Sequence, residues 1–540
     1  MTNSHPFAPA PPPQAMGDAF HVFDTTLRDG AQREGISYSV ADKLAIAKLL
    51  DGYGVGFIEG GWPGAMPKDT EFFARAQTEL KFQHAQLVAF GATRKSGVLV
   101  TEDKQVQALL DSNAPVITIV AKSDVRHVDR ALRTTPQENL AMVVDTVSHL
   151  SDAGRRVFVD FEHFFDGYRH DPDYGVALLK AAGAAGAEVG VLCDTNGGML
   201  PSDITSVVTD VLDRSGVRIG IHCQDDTGCA VANTIAAVQA GATHVQGTAN
   251  GYGERTGNAD LFAVVSNLEL KLDMQVLPTG CLAETVRVSH AIADIANLAP
   301  DTHQPYAGVS SFSHKAGLHA SALKVSQDLY NHIDPTLVGN DMRILITEMA
   351  GRASVELKGQ ELGYDLSDDP TALAGLVDRV KGLEAEGWSF EAADASFELM
   401  LLDQTGKLES PYELESWRTI VERQGNGEVV SEATVKLRVD GRREISTAEG
   451  NGPVNALDNA LRGALVKAHP ELELLRLVDY KVRILEGVKG TGAVTRVLVS
   501  TTDGDREWHT VGVHENVIEA SWLALDDAIR FGLLDSTQAR

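Results

Sequence analysis

Between residues 21 and about 272 the chain switches eight times between two hydrophobic periods, and no other feature constrains its fold as strongly. Short β-rich runs predict strands at "HVFDTTL" (21–27), "GFIEGG" (56–61), "QLVAFGA" (86–92), "VITIVAKS" (116–123), "RVFVDFEHF" (156–164), "EVGVLCDT" (188–195), "RIGIHCQD" (218–225) and "HVQGTANG" (244–251). The segments between them have helical spacing. In "SVADKLAIAKLLDGYG", Leu44, Ala47 and Leu50 share one face, and Gly52 and Gly54 close the helix. Eight such units predict a (β/α)8 TIM barrel, with a doubly wound open sheet as the alternative.

The polar residues bear on that choice. Each strand begins apolar and tends to finish on a chemically capable residue: Arg28 and Asp29, Glu59, Thr93 and Arg94, Lys122, Glu162, Asp194 and Thr195, His222 and Gln224, Asn250 and Glu254. In a barrel these ends converge on one mouth, whereas an open sheet would spread them along a line. After about residue 272 the rhythm breaks. Residues 330–400 read as short helices with charged loops, and from about 401 an alternating β pattern with two helical pieces predicts an α+β domain. The expected division is a disordered Pro/Ala arm over 1–19, a barrel over 20–275, a linker with helical subdomains over 276–400 and the α+β domain over 401–540.

A chain of 540 residues is longer than one core usually organises, so several domains agree with its length. With 47 Lys and Arg against 75 Asp and Glu, its net charge of −28 argues against a nucleic-acid or anionic-membrane partner and for small-molecule substrates. Four cysteines without a CxxC pair fit a reducing cytoplasm. The N-terminus lacks a signal-peptide pattern, and no apolar run approaches the ~20 residues of a membrane span.

Strand alternation puts His222 and Gln224 of "IGIHCQDDTG" (219–228) on one side and Cys223 on the other. His222 is either a hydrogen-bonded structural residue or a metal ligand; Asp29 and Asn258 are expected at the same rim. One imidazole with several oxygens would suit Mg or Mn better than a closed zinc site. Arg28 beside Asp29 is either a surface ion pair or a permanent cation for an oxyanion next to a metal ligand. "NGYGERTGN" (250–258) does not read GxGxxG, and no GxxxxGK[ST] occurs, so a nucleotide phosphate loop is poorly supported.

Together these stretches resemble a known family. "LRDGAQREGISYSVADK" (27–43), which includes Lys43, is similar to the first signature of the α-isopropylmalate, homocitrate and citramalate synthases. "IGIHCQDDTGCAVAN" resembles their second signature and "NGYGERTGN" their third. "FSHKAGLHAS", "LYNHIDP", "GNGPVNALDNALR" and "HENVIEASWLAL" extend the resemblance over roughly residues 21–535. "FIEGGWPGAMPKDTEFF" and "FVDFEHFFDGY" are most similar to the longer-type citramalate synthases.

The resemblance implies a catalytic TIM barrel, a helical subdomain contributing to the active site and a C-terminal regulatory domain that dimerises. It also implies a divalent metal, with Mn or Mg ahead of Zn or Co, and acetyl-CoA as co-substrate. The reaction would be a Claisen-type condensation onto a 2-oxo acid, either pyruvate or 2-oxoisovalerate or 2-oxoglutarate, followed by thioester hydrolysis. An effector amino acid, isoleucine or leucine, would act through residues 401–540. Carried over by position, Asp29, His222, Gln224 and Asn258 fall in the metal region, where Gln224 stands in place of the family's second histidine. Arg28 would polarise the keto oxygen, and Thr195, Glu59 and Asn250 would surround the substrates. Glu162, or a relay through His319 and Tyr330, would supply the base; alternatively Glu162 anchors Arg28 and Tyr330 is packing. A catalytically dead amino-acid sensor is the competing reading of Gln224.

Overall fold

The computed structural model describes residues 18–367, 369–485 and 487–538. The arm expected over 1–19 lies outside them except for its last two residues. The chain forms two compact units. The first runs to Phe312 and takes back Ile333–Asp341; the second holds Ser313–His332 and the chain from Met342 onward.

The first unit is a closed barrel of eight parallel strands: β1 (His21–Asp24), β2 (Phe57–Gly61), β3 (Gln86–Ala92), β4 (Val116–Lys122), β5 (Arg156–Glu162), β6 (Val189–Asp194), β7 (Ile219–Cys223) and β8 (His244–Gly247). Pairing of β1 with β8 closes the sheet and excludes the open alternative. β8 is shorter than its apolar run because the chain turns there, with Asn250 at φ 57°. The helix after β1, α1 (Val40–Tyr53), starts on a reciprocal Ser39–Asp42 capping box and stops at Gly54, whose φ of 91° suits glycine. Residues 276–312 pack on the barrel, with Val288 and Ile292 of helix Thr285–Ile295 in its core.

Alternate residues of each strand point inward, so the interior is layered. At the floor His21, Phe57, Phe158 and His244 pack with ring centroids 4.6 to 5.6 Å apart. Phe23, Val88, Val116, Val189, Val191 and Cys193 fill the space above them. The layer nearest the carboxyl ends is polar and buried: Glu59, Asp160, His222 and Gln246. The site thus rests on a dry plug.

The two floor histidines face each other, Nδ1 to Nδ1 at 3.2 Å. Burial pushes His21 down to about 4, with Arg218 adding to it, and burial also holds His244 well below the ordinary imidazole value. Unfolded, each would take up a proton near 6.5. Their contribution to stability is therefore complete above that pH and is lost as pH falls toward 4. We expect unfolding free energies from urea titrations to drop over this window by roughly 3 kcal/mol from His21, and His21→Gln to flatten the slope.

The second unit carries the short helix Gly317–Leu323, the helices Arg352–Glu361, Pro370–Ala385 and Asp394–Gln404, and then a βββα motif used twice. Strands Glu413–Arg423, Val429–Val439 and Arg442–Gly450 precede helix Pro453–Leu465; strands Arg476–Ile484, Thr495–Thr502 and Glu507–His514 precede helix Val517–Gln538. Each strand triplet is an antiparallel sheet. Val435, Leu437, Leu457 and Leu461 tie the first sheet to its helix; Val497, Val499, Ala520 and Ala524 tie the second.

Candidate active site

A cavity of about 650 Å3 opens at the carboxyl ends of the strands, and Arg28, Asp29, Lys122, Glu162, Thr195 and Gln224 line it. Arg28 is fixed from two directions. Its Nε donates to the fully buried Glu59 at 2.6 Å, and its guanidinium lies 4.0 Å above the Phe90 ring. Glu59 also accepts from the Thr25 hydroxyl at 2.5 Å. It does not line the cavity, so the residue expected to touch substrate instead holds the arginine that does. Trp62 meets Phe90 edge to face at 5.3 Å and completes this wall.

Beside Arg28 four buried side chains converge. Asp29 Oδ2 is 3.3 Å from His222 Nε2, and the Gln224 amide nitrogen is 3.4 Å from both and 3.0 Å from Asn258 Oδ1. The bridge between Gln224 and Asn258 sets the last two side by side. Burial would raise the Asp29 carboxyl, but Arg28 and His222 hold it well below the ordinary range. Burial would lower His222, but its hydrogen bond and attraction to Asp29 lift it to about 9.

This set fits a divalent cation. The Gln224 carbonyl oxygen is buried without a partner, while its nitrogen faces the Asp29 and Asn258 oxygens and His222 Nε2. Turning the amide over would give one imidazole nitrogen and three oxygens, a donor set for a hard or borderline ion.

On the opposite wall Lys122 Nζ donates to the Glu162 carboxylate, from the paired position on the neighbouring strand. Glu162 therefore does not anchor Arg28; Glu59 does. Thr195 Oγ1 accepts from the His163 backbone at 2.8 Å and keeps its own proton to donate. Asn250 does not reach the cavity. Its amide bonds the Ser289 carbonyl and the Tyr252 hydroxyl and accepts from Ser289 and Gln304, which staples the turn after β8. His319 and Tyr330 belong to the second unit, where their rings stack at 4.0 Å and Tyr330 is 42% exposed. Phe90, Trp62 and the Lys122 pairing had no assigned role in the sequence, although Phe90 shares strand parity with the inward Val88.

Residues 19–296 match the HMGL-like family, residues 307–387 the homocitrate synthase post-HMGL domain-like family, and residues 391–533 the LeuA allosteric (dimerisation) domain. An (R)-citramalate synthase of Streptomyces coelicolor is 66% identical, covering 96% of this chain and 97% of the relative. One of Aquifex aeolicus is 46% identical, covering 96% and 98%. The chain belongs to the α-isopropylmalate, homocitrate and citramalate synthase family. Within that synthase family a probable 2-isopropylmalate synthase of Methanopyrus kandleri is 31% identical over 94% of this chain and 97% of its own. Synthases of this family are acyl-condensing enzymes that use a divalent metal and acetyl-CoA. Among the described residues no helix is long and apolar enough to cross a membrane.

Proposed function

We propose that the chain is an (R)-citramalate synthase, which condenses acetyl-CoA with pyruvate and hydrolyses the thioester to (R)-citramalate and CoA, in the cytoplasm, on the pyruvate route to isoleucine. The observation that carries this reading is the near-full-length match, at 42 to 66% identity, to four relatives of that name. The Trp62–Phe90 wall beside Arg28 also suits the methyl group of pyruvate.

The acetyl methyl is a weak carbon acid, so a base must take its proton before its carbon attacks C2 of the oxo acid. As that C–C bond forms, the carbonyl pair moves onto oxygen. Water then adds to the thioester carbonyl, the C–S bond breaks and the CoA thiol leaves with a proton. Arg28 donates to the developing alkoxide from a position Glu59 and Phe90 have already set. Asp29, His222, Asn258 and Gln224 would hold the cation. A divalent ion bound there supplies Lewis-acid polarisation of the keto group. Glu162 takes the methyl proton, and Lys122 compensates the charge that moves. His319 with Tyr330 is the second proton-shuttling pair that the resemblance implies. Thr195 donates to the substrates. Isoleucine is the effector we assign to the C-terminal domain, ahead of leucine. Exposed Ile420, Val421, Val482 and Ile484 on its outer strands offer apolar surface for a homodimer.

The test is CoA release with pyruvate, 2-oxoisovalerate and 2-oxoglutarate in Mg, Mn, Co and Zn. We expect kcat/KM for pyruvate to exceed that for the branched oxo acid by at least ~10-fold. Gln224→His should move the metal preference from Mn and Mg toward Co and Zn. Absence of CoA release with pyruvate would overturn the assignment.

A further inference from the structure

We propose that Gln246 is a positioning residue that fixes the ring orientation and tautomer of His222. The proposal rests on the reading of His222 and Asp29 as metal ligands. His222 and Gln246 occupy paired positions on β7 and β8, and both point into the barrel. Gln246 is 1% exposed, and both polar atoms of its amide are engaged: Oε1 lies 2.7 Å from His222 Nδ1, and Nε2 donates to Asp160 Oδ1 at 2.9 Å.

The order of these contacts follows from hydrogen counting. An ionised carboxylate carries no hydrogen, so with Asp160 ionised the amide nitrogen faces Asp160 and the amide oxygen faces His222. Nδ1 of His222 is then the donor, and the atom turned toward Asp29 and Gln224 is Nε2. Gln246 therefore engages Nδ1 and leaves Nε2 to face the cluster of Asp29 and Gln224. Asp160 stands on β5, across the interior from β8, so the chain Asp160–Gln246–His222 braces the ring from the far wall. Outer partners of this kind fix a ligating imidazole and typically change metal affinity by ~10–100-fold when removed.

The experiment is Mn(II) binding to the full chain after chelator treatment, by competition with a fluorescent chelator, at pH 8. That pH lies above the value of about 7 to which burial pushes the Asp160 carboxyl. Gln246→Leu removes the acceptor and should raise the Mn Kd by ~10–100-fold. Gln246→Glu retains an acceptor for Nδ1–H and should hold the Kd near the wild-type value, whatever it does to thermal stability. Gln246→Asn, one methylene too short to reach the ring, repeats the first arm if the leucine variant fails to fold. Wild-type binding with an unchanged Kd in the leucine or asparagine variant would overturn the proposal alone, as would equal weakening in the glutamate variant. Lack of saturable Mn binding by the wild type, or binding untouched by Asp29→Asn, would overturn the metal-site reading and the proposal with it.

Discussion

Arg28→Gln should lower kcat for CoA release from pyruvate and acetyl-CoA by roughly 10²–10³-fold, the cost of losing one preorganised donor to a developing oxyanion. The structure gives reasons for a loss of this size. The guanidinium pays no reorganisation when charge develops, because Glu59 fixes its Nε at 2.6 Å and Phe90 supports its plane at 4.0 Å. Arg28→Lys should recover little of the loss. An ammonium cannot bond Glu59 through one nitrogen and present a second to substrate in the same plane. KM for acetyl-CoA should move less than kcat, since the interaction strengthens as the alkoxide forms. A fall in kcat below ~10-fold in steady-state thiol-release assays would remove Arg28 from the oxyanion role assigned to it.

Lys43→Met should destabilise the barrel by about 3–5 kcal/mol, the usual cost of leaving one member of a buried ion pair alone. Lys43 is 4% exposed and Asp69 8% exposed. The ammonium bonds Asp69 and also the Gly60 carbonyl at 3.0 Å, while the other Asp69 oxygen accepts from the Trp62 backbone at 2.8 Å. Gly61 sits between them at φ 137°, and a Cβ there would lie 2.4 Å from the Asp69 carboxyl. The pair thus clamps the turn that carries Trp62 to the cavity wall. Urea unfolding followed by far-UV circular dichroism measures the loss, and Lys43→Met with Asp69→Asn should regain part of it by removing the uncompensated charge. Equal stability of Lys43→Met and the wild type would show that the turn holds without its clamp.

The barrel was readable because its signal is periodic. Each of the eight apolar runs begins within one residue of an observed strand, and the alternation of His222 with Gln224 survives intact. The roles of Glu59, Glu162 and Asn250 were less readable, because partner choice among facing polar side chains depends on strand register and tilt. Neighbouring strands bring Glu162 to Lys122, while Glu59 reaches back to Arg28. Lys43 was visible only as part of a motif, since its partner Asp69 lies 26 residues away on another helix. The doubled βββα motif was missed for a different reason. Strand Glu413–Arg423 is largely exposed and rich in charge, so it shows no apolar alternation until its pairing with Val429–Val439 is seen.

Phe90 has two jobs, and that limits how the enzyme could be re-engineered. The ring lines the cavity and is also the platform on which Arg28 lies. Trimming it to admit a bulkier oxo acid would free the arginine at the same time, so gains in substrate range would be charged against turnover. Trp62 packs edge to face on Phe90, whereas the ring that carries the Arg28 guanidinium is that of Phe90. Variation at Trp62, with Phe90 left alone, is the route by which a lineage or a designer could widen the pocket and keep the rate.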